Sequence, residues 1–162
     1  MSLPPLSQLL RVRPVAAADY FLSNRWLSWF SRNLIGIIPI RRKQADGGPA
    51  EDPLAPCHAA LERGDIILFF PEGTRGEPER IGAFKSGICK LSQRFPDMPI
   101  APVFLHGLGK ALPKGEAILV PFFVDVFVGE PLRWTVDGAS FKRELEERMR
   151  GLAAEGNFPA WT

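Results

Sequence analysis

The sequence contains 162 residues, a length that suits one folded domain with a single sizeable core. Its hydrophobic share of 46% is typical of a globular protein and excludes a disordered one. The 20 basic residues stand against 18 acidic ones, which leaves a net charge of +2. Because this balance is so even, the charge does not indicate binding to nucleic acid.

Cysteines, apolar runs and the first residues exclude several further classes of protein. Cys57 and Cys89 are far apart and belong to no CxxC or Cys/His cluster, so we expect free thiols in a reducing compartment and no metal site. The apolar runs are too short for a transmembrane helix. The N-terminus has no basic region and is broken by Pro4 and Pro5, so it does not resemble a signal peptide. Its leucines indicate a helix that is entered partway.

The first part of the chain predicts short elements that alternate between helix and strand. In chain order these are a helix, a strand, a helix, a strand and a helix, over residues 3–10, 12–19, 20–34, 35–40 and 54–63. Residues 43–56 are rich in Gly, Pro and charge, and we expect an exposed loop there. Gly64 is expected to end the helix before it.

The second part continues the alternation. In chain order it predicts a strand, a helix, two strands and a helix, over residues 65–70, 83–94, 99–106, 117–128 and 138–154. The run DIILFF (65–70) is typical of a strand buried on both faces of a parallel sheet, and 99–106 is a second buried strand. The strand over 117–128 is expected to bend or bulge at Pro121.

The last predicted helix is amphipathic. We expect Asp137 or Ser140 to cap it, and its inner stripe consists of Phe141, Leu145, Met149 and Leu152. Its outer face offers four oppositely charged i,i+4 pairs, which are typical of a solvated surface. The whole pattern predicts one α/β domain over residues 1–162, a layered fold with a mixed, largely parallel central sheet flanked by helices.

The stretch FPEGTR (70–75) follows the apolar run IILFF and has the composition of a site at the end of a strand. Gly73 permits a sharp turn and a close approach of a ligand. Arg75 offers a planar set of donors that matches phosphate, and Thr74 adds a hydroxyl. Glu72 can orient Arg75 or accept a hydrogen bond from a substrate hydroxyl. The plainer alternative is a βα turn with a surface ion pair between Glu72 and Arg75.

FPEGTR resembles the signature of the glycerol-3-phosphate and lysophosphatidate acyltransferase family. Three further stretches resemble other blocks of that family in the expected order, namely 38–41 (IPIR), 83–87 (AFKSG) and 100–103 (IAPV). Together the four stretches extend the resemblance over most of the chain. Several ordered motifs in the expected strand and turn contexts are hard to obtain by chance.

The resemblance implies transfer of a fatty acyl group from acyl-CoA or acyl carrier protein to a hydroxyl of a glycerol phosphate or lysophospholipid. It implies no cofactor beyond the acyl donor. In the family a His-x-x-x-x-Asp motif supplies the general base and the carboxylate that holds its ring. The resemblance assigns the phosphate of the acceptor to Arg75 and Arg41, with Glu72, Gly73 and Thr74 around it.

The sequence departs from the family at the catalytic motif. The residue five positions after His58 is Arg63, and the residue five positions after His106 is Ala111, so neither histidine forms His-x-x-x-x-Asp. The motif is expected upstream of residues 12–19. We therefore expect this chain to be inactive, either as a piece of a working enzyme or as a protein that only binds phospholipid or acyl donor.

Both histidines and one aromatic segment also have plain interpretations. His58 is expected to be a surface residue, and His106 to cap or pack, although it could line the cleft at the end of its strand. Residues 24–32 hold Trp26, Trp29 and Phe30, which suit an interfacial helix but suit packing on the sheet better. The resemblance places the protein peripherally on the cytoplasmic side of a membrane.

Overall fold

The computed structural model describes residues 5–17, 36–40, 52–74, 80–107, 124–135 and 137–156. Its elements confirm an α/β fold with a parallel sheet flanked by helices. The chain divides into two compact units, Met1–Gly73 and Thr74–Thr162. The organisation of residues 1–162 as a single domain stays a prediction.

The first unit is built on a three-stranded parallel sheet in the order β2-β1-β3. Its elements are α1 (Leu6–Leu9), β1 (Val12–Ala17), β2 (Ile38–Ile40), α2 (Ala55–Glu62) and β3 (Ile66–Leu68). The central strand β1 pairs with β2 through Val15 and Ile38, and with β3 through Val12 and Ile66. Each element lies inside the range that the sequence predicts, and each is shorter.

The two faces of this sheet differ in burial. Val15 and its partner Ile38 are buried on one face, and α2 packs against β2 and β3. Side chains alternate along a strand, so Ile66 and Leu68 lie on the other face, where they are 51% and 45% exposed. The prediction that this strand is buried on both faces is therefore wrong for the described structure. A continuous apolar run does not show whether a second layer covers it.

Helix α2 is defined by residues at its two ends. Asp52 accepts a hydrogen bond from the amide of Leu54 at 3.0 Å, and Pro56 occupies the first turn, where its missing N–H costs nothing. Gly64 ends the helical segment with a φ of +77°, as predicted. Cys57 is fully buried in this helix, and burial followed by the charge of Asp52 raises its pKa to about 11. Both cysteines are free, as the sequence predicts.

The second unit combines an antiparallel pair of strands with two helices. Its elements are α3 (Gly87–Arg94), β4 (Val103–His106), β5 (Asp125–Val128) and α4 (Gly138–Glu155). The facing pair Phe104 and Phe127 lies on one side of the ribbon, with ring centroids 6.4 Å apart. The pair Val103 and Val128 lies on the opposite side and is exposed. Strand β4 is thus buried on one face only, which corrects the prediction of a buried strand.

Helix α4 forms the centre of this unit, and it confirms the predicted stripe. Phe141 is fully buried and its ring lies 5.3 Å from that of Trp134, while Leu145 and Leu152 are buried beside it. Met149 is only half-buried. Three of the four predicted i,i+4 pairs form on the outer face, namely Lys142–Glu146, Glu144–Arg148 and Glu146–Arg150.

Helix α3 starts four residues later than the sequence predicts, at Gly87 instead of residue 83. Phe84 is nevertheless buried together with Ile88 and Leu91, and its amide donates to Glu146 of α4 at 3.4 Å. An apolar residue can therefore join the inner face of a helix from the segment that precedes it. Several predicted features lie outside the described residues. These are the helix over 20–34, most of the loop over 43–56 and the bend at Pro121.

Asp137 caps α4 by accepting from the amides of Ala139 and Ser140 at 2.8 and 3.0 Å, which confirms one of the two predicted caps. The hydrogen bonds from Ser140, followed by that from Ala139, lower the pKa of this carboxyl. Its contribution to stability is therefore fully present above the ordinary Asp pKa and is lost as the pH falls through the lowered value.

We expect Asp137→Ala to lower the melting temperature at neutral pH, because the first amides of α4 lose their acceptor. Since the cap stabilises the helix most when the carboxyl of Asp137 is ionised, the difference in melting temperature between the two proteins should narrow as the pH falls below about 4. Asp137→Asn is the matched control, because an amide caps a helix without a charge. Melting curves of equal midpoint for Asp137→Ala and the parent at neutral pH would contradict the assignment.

Candidate functional site

The segment after β3 forms the turn that the sequence predicts. The amide of Gly73 donates to the carbonyl of Phe70 at 3.1 Å, which closes a four-residue turn. Pro71 stands at the second position, where its fixed φ favours turns. Gly73 has a φ of +67°, a left-handed conformation in which a Cβ atom is unfavourable. The glycine is therefore required by the path of the backbone.

The strand register places this turn at the carboxyl edge of the parallel sheet. Leu68 lies opposite Pro14 of β1, so three further residues along the chain bring Pro71 about level with Ala17. Ala17 in turn lies opposite Ile40, the last residue of β2. Strands β2 and β3 are separated by β1 alone, which is about 10 Å across the sheet at two strand spacings. Parallel pairing brings both predicted site segments to one edge.

Of the five predicted site residues, the structure describes three. Glu72 is half-buried within the turn, and Gly73 and Thr74 are exposed. Arg75 and Arg41 lie outside the described residues, and so does the Glu72–Arg75 ion pair of the plainer alternative. The roles of all five residues in binding remain predictions.

His58 is not the surface residue that the sequence predicts. Its side chain is 16% exposed, and its Nδ1 atom lies 3.4 Å from a carboxylate oxygen of Asp52. Its Nε2 atom is buried. A general base has to reach the proton that it removes, so this burial argues against a catalytic role for His58. The sequence contains the signal for the pairing only in hindsight, as an acidic residue just before the start of α2.

His106 ends β4, and the antiparallel register sets it directly opposite Asp125, the first residue of β5. Residues opposed in this way have Cβ atoms about 5 Å apart, close enough for their side chains to interact. His106 is half-buried and Asp125 is exposed. Sequence reasoning missed this neighbour, because a pairing across 19 positions is set by the register and not by a local motif.

Among the helices that the structure describes, none combines the length and the apolar character needed to cross a membrane.

Comparison with known proteins gives a family match. The model of the Acyltransferase family matches residues 3–106. Over 107 residues, or 65% of this chain, the sequence is 33% identical to the chloroplastic 1-acyl-sn-glycerol-3-phosphate acyltransferase BAT2 of Brassica napus and to the chloroplastic LPAT1 of Arabidopsis thaliana. The chain covers 30% and 29% of the length of those proteins.

Two bacterial proteins extend the comparison. A 1-acyl-sn-glycerol-3-phosphate acyltransferase of Pseudomonas aeruginosa is 28% identical over 95 residues, which are 59% of this chain and 36% of that protein. The crystal structure of the LPA acyltransferase PlsC from Thermotoga maritima superposes on 99% of this chain with a TM-score of 0.69 and 22% identity. This chain covers 64% of the PlsC chain. At that identity the superposition supports the fold alone.

The turn predicts that replacing a glycine by alanine has opposite effects on stability at two positions. We expect Gly73→Ala to lower the free energy of unfolding by about 1 kcal/mol, because its φ is left-handed. Gly151→Ala is the matched control, since Gly151 lies inside α4 with open space around an added Cβ. Gly151→Ala should raise the free energy of unfolding by about 0.5–1 kcal/mol. Urea unfolding measures both changes, and equal signs for the two variants would contradict the turn assignment.

Proposed function

Because the chain belongs to the Acyltransferase family, we propose that it takes part in transferring a fatty acyl group from acyl-CoA or acyl carrier protein to a glycerol phosphate or lysophospholipid. The observation that carries the proposal is the family match over residues 3–106. Relatives named as 1-acyl-sn-glycerol-3-phosphate acyltransferases support a lysophosphatidate acceptor. The fold of PlsC and the turn at the carboxyl edge of the sheet are consistent with it.

We assign the acceptor's phosphate to the turn after β3 and the end of β2. Arg75 follows that turn and Arg41 follows Ile40, and guanidinium groups bind phosphate through pairs of parallel hydrogen bonds. Gly73 leaves the backbone open to close approach, and Thr74 adds a hydroxyl. Glu72 then either orients Arg75 or accepts a hydrogen bond from a hydroxyl of the substrate. Binding the phosphate fixes the glycerol hydroxyl in place for the acyl transfer.

The reaction itself needs a general base. The acceptor hydroxyl attacks the thioester carbonyl, the base takes the hydroxyl proton, and the thiol of the donor leaves. The family's His-x-x-x-x-Asp does not occur in residues 1–162. His58 has a buried Nε2 atom, which argues against its acting as a substitute. We therefore propose that this stretch supplies the acceptor site and does not by itself catalyse the transfer.

A second candidate function is binding without chemistry. In this reading the protein holds phospholipid or acyl donor at the same edge of the sheet and transfers nothing. The observation that favours it is the missing catalytic motif. Because lysophospholipids lie in a bilayer, we propose that the domain works at the surface of a membrane, and the family resemblance suggests its cytoplasmic side.

The experiment is an acyl-transfer assay on the 162-residue chain and on the protein isolated from its natural source. Acyl-CoA and 1-acyl-glycerol 3-phosphate are supplied, and both free thiol and diacylated product are measured. We expect turnover from the natural protein and none above background from the 162-residue chain. If neither protein turns over while both bind the acceptor, the binding function replaces the enzymatic one.

The histidines provide the control for the 162-residue chain. Turnover by this chain that survives His106→Ala would show that its residues contain a base other than those considered. Turnover that His106→Ala abolishes would assign the base to the His106–Asp125 neighbours and contradict the proposal that this stretch does not by itself catalyse the transfer.

A further inference from the structure

The first unit carries a cleft at the edge of the parallel sheet opposite to the turn after β3. Its volume is about 320 Å³, and it is lined by Arg13, Gly36, Ile37, Ile38, Pro39, Pro56, Ala59 and Arg63. Arg13 is the second residue of β1, and Gly36 and Ile37 precede β2. Arg63 follows α2 and comes just before β3. The cleft thus lies at the amino ends of the strands, between the sheet and α2.

Two arginines and one carboxylate set the charge of this cleft. The Nε atom of Arg13 lies 3.5 Å from one oxygen of Asp65, and a terminal nitrogen of Arg63 lies 3.1 Å from the same oxygen. The side chain of Asp65 is 9% exposed, whereas those of Arg13 and Arg63 are 34% and 63% exposed. Two guanidinium groups and one carboxylate leave a net charge of about +1 that faces solvent.

The arginines retain donors after pairing with Asp65. A guanidinium has five N–H groups, and each arginine directs only part of this set at the shared oxygen. Among the described residues, Asp65 therefore holds the two groups near each other, and its one oxygen engages only part of their donors. A bidentate acceptor such as phosphate matches this arrangement, because it has several oxygens at the spacing of a guanidinium edge.

Gly36 leaves room for the side chain of Arg13. It has a φ of +70°, and a Cβ atom at this position would collide with a terminal nitrogen of Arg13. The Arg13 side chain therefore crosses directly over the backbone at Gly36. Beside it, Ile37, Ile38 and Pro39 give the cleft an apolar wall. The cleft combines a cationic end with an apolar end, as ligand sites for amphipathic molecules do.

We propose that this cleft binds a phosphate monoester that carries a small apolar group. The phosphate would accept hydrogen bonds from Arg13 and Arg63, and the apolar group would lie against Ile37 and Pro39. The inference is independent of the acyl-transfer function, since it uses none of the residues at the carboxyl edge. The proposal would be overturned if Arg13, Asp65 and Arg63 only hold β1 to the end of α2 and bind no phosphate.

The test is an NMR titration of the 162-residue chain with isopropyl phosphate, inorganic phosphate and isopropanol. We expect saturable shifts of the backbone amides of Gly36, Ala59 and Arg63, with isopropyl phosphate binding more tightly than inorganic phosphate and isopropanol producing no shift. Inorganic phosphate binding as tightly would overturn the apolar part of the proposal. Shifts confined to Glu72–Thr74, or no saturable shift at millimolar phosphate, would overturn the site.

Variants separate this cleft from the other phosphate site. We expect Arg63→Gln to lower the affinity for isopropyl phosphate by about tenfold or more, because a charge-assisted pair of hydrogen bonds is lost. Arg150→Gln is the matched control, since Arg150 is 62% exposed and also pairs with a carboxylate. Arg75→Gln should leave the shifts of Gly36, Ala59 and Arg63 unchanged, because it acts only on phosphate bound beside Glu72–Thr74. Binding that Arg75→Gln removes and Arg63→Gln spares would overturn the proposal and leave the acceptor site standing.

Discussion

The parallel pairing of β1 with β2 and β3 is the constraint on which the rest of the first unit depends. It aligns Ile38 with Val15 and Ile66 with Val12, and so fixes which residues reach each end of the sheet. The carboxyl ends of β2 and β3 then lead into the two segments that we propose bind the acceptor. The amino ends bring together arginines from β1 and from the end of α2. Each edge therefore gathers residues from distant parts of the chain.

At the carboxyl edge the described structure gives the backbone of the site that we propose for an anion. The turn closed by Gly73 needs a left-handed residue, and the strand pairing holds the turn beside the end of β2. The chain belongs to the Acyltransferase family, and we propose that this geometry holds a phosphorylated acceptor next to a thioester. The general base is a separate requirement, and nothing in that turn supplies it. Binding and catalysis can thus be tested apart.

Local patterns predicted well where one interaction decides the structure. Helix α4 follows its apolar stripe and its Asp137 cap because periodicity and capping act within one turn of helix. Predictions failed where a distant segment decides. The half-exposed Ile66 depends on which layers cover the sheet. The shared pairing of Arg13 with Asp65 joins residues 52 positions apart, and no local pattern indicates it.

We propose that the carboxyl edge of the sheet binds the acceptor through its phosphate. The most direct measurement compares the affinities of lysophosphatidate and monoacylglycerol, which differ by that phosphate, for the parent chain and for Arg75→Gln. We expect the substitution to weaken the binding of lysophosphatidate by about tenfold or more and to leave the affinity for monoacylglycerol unchanged. An equal loss for both lipids, or no loss for either, would contradict it.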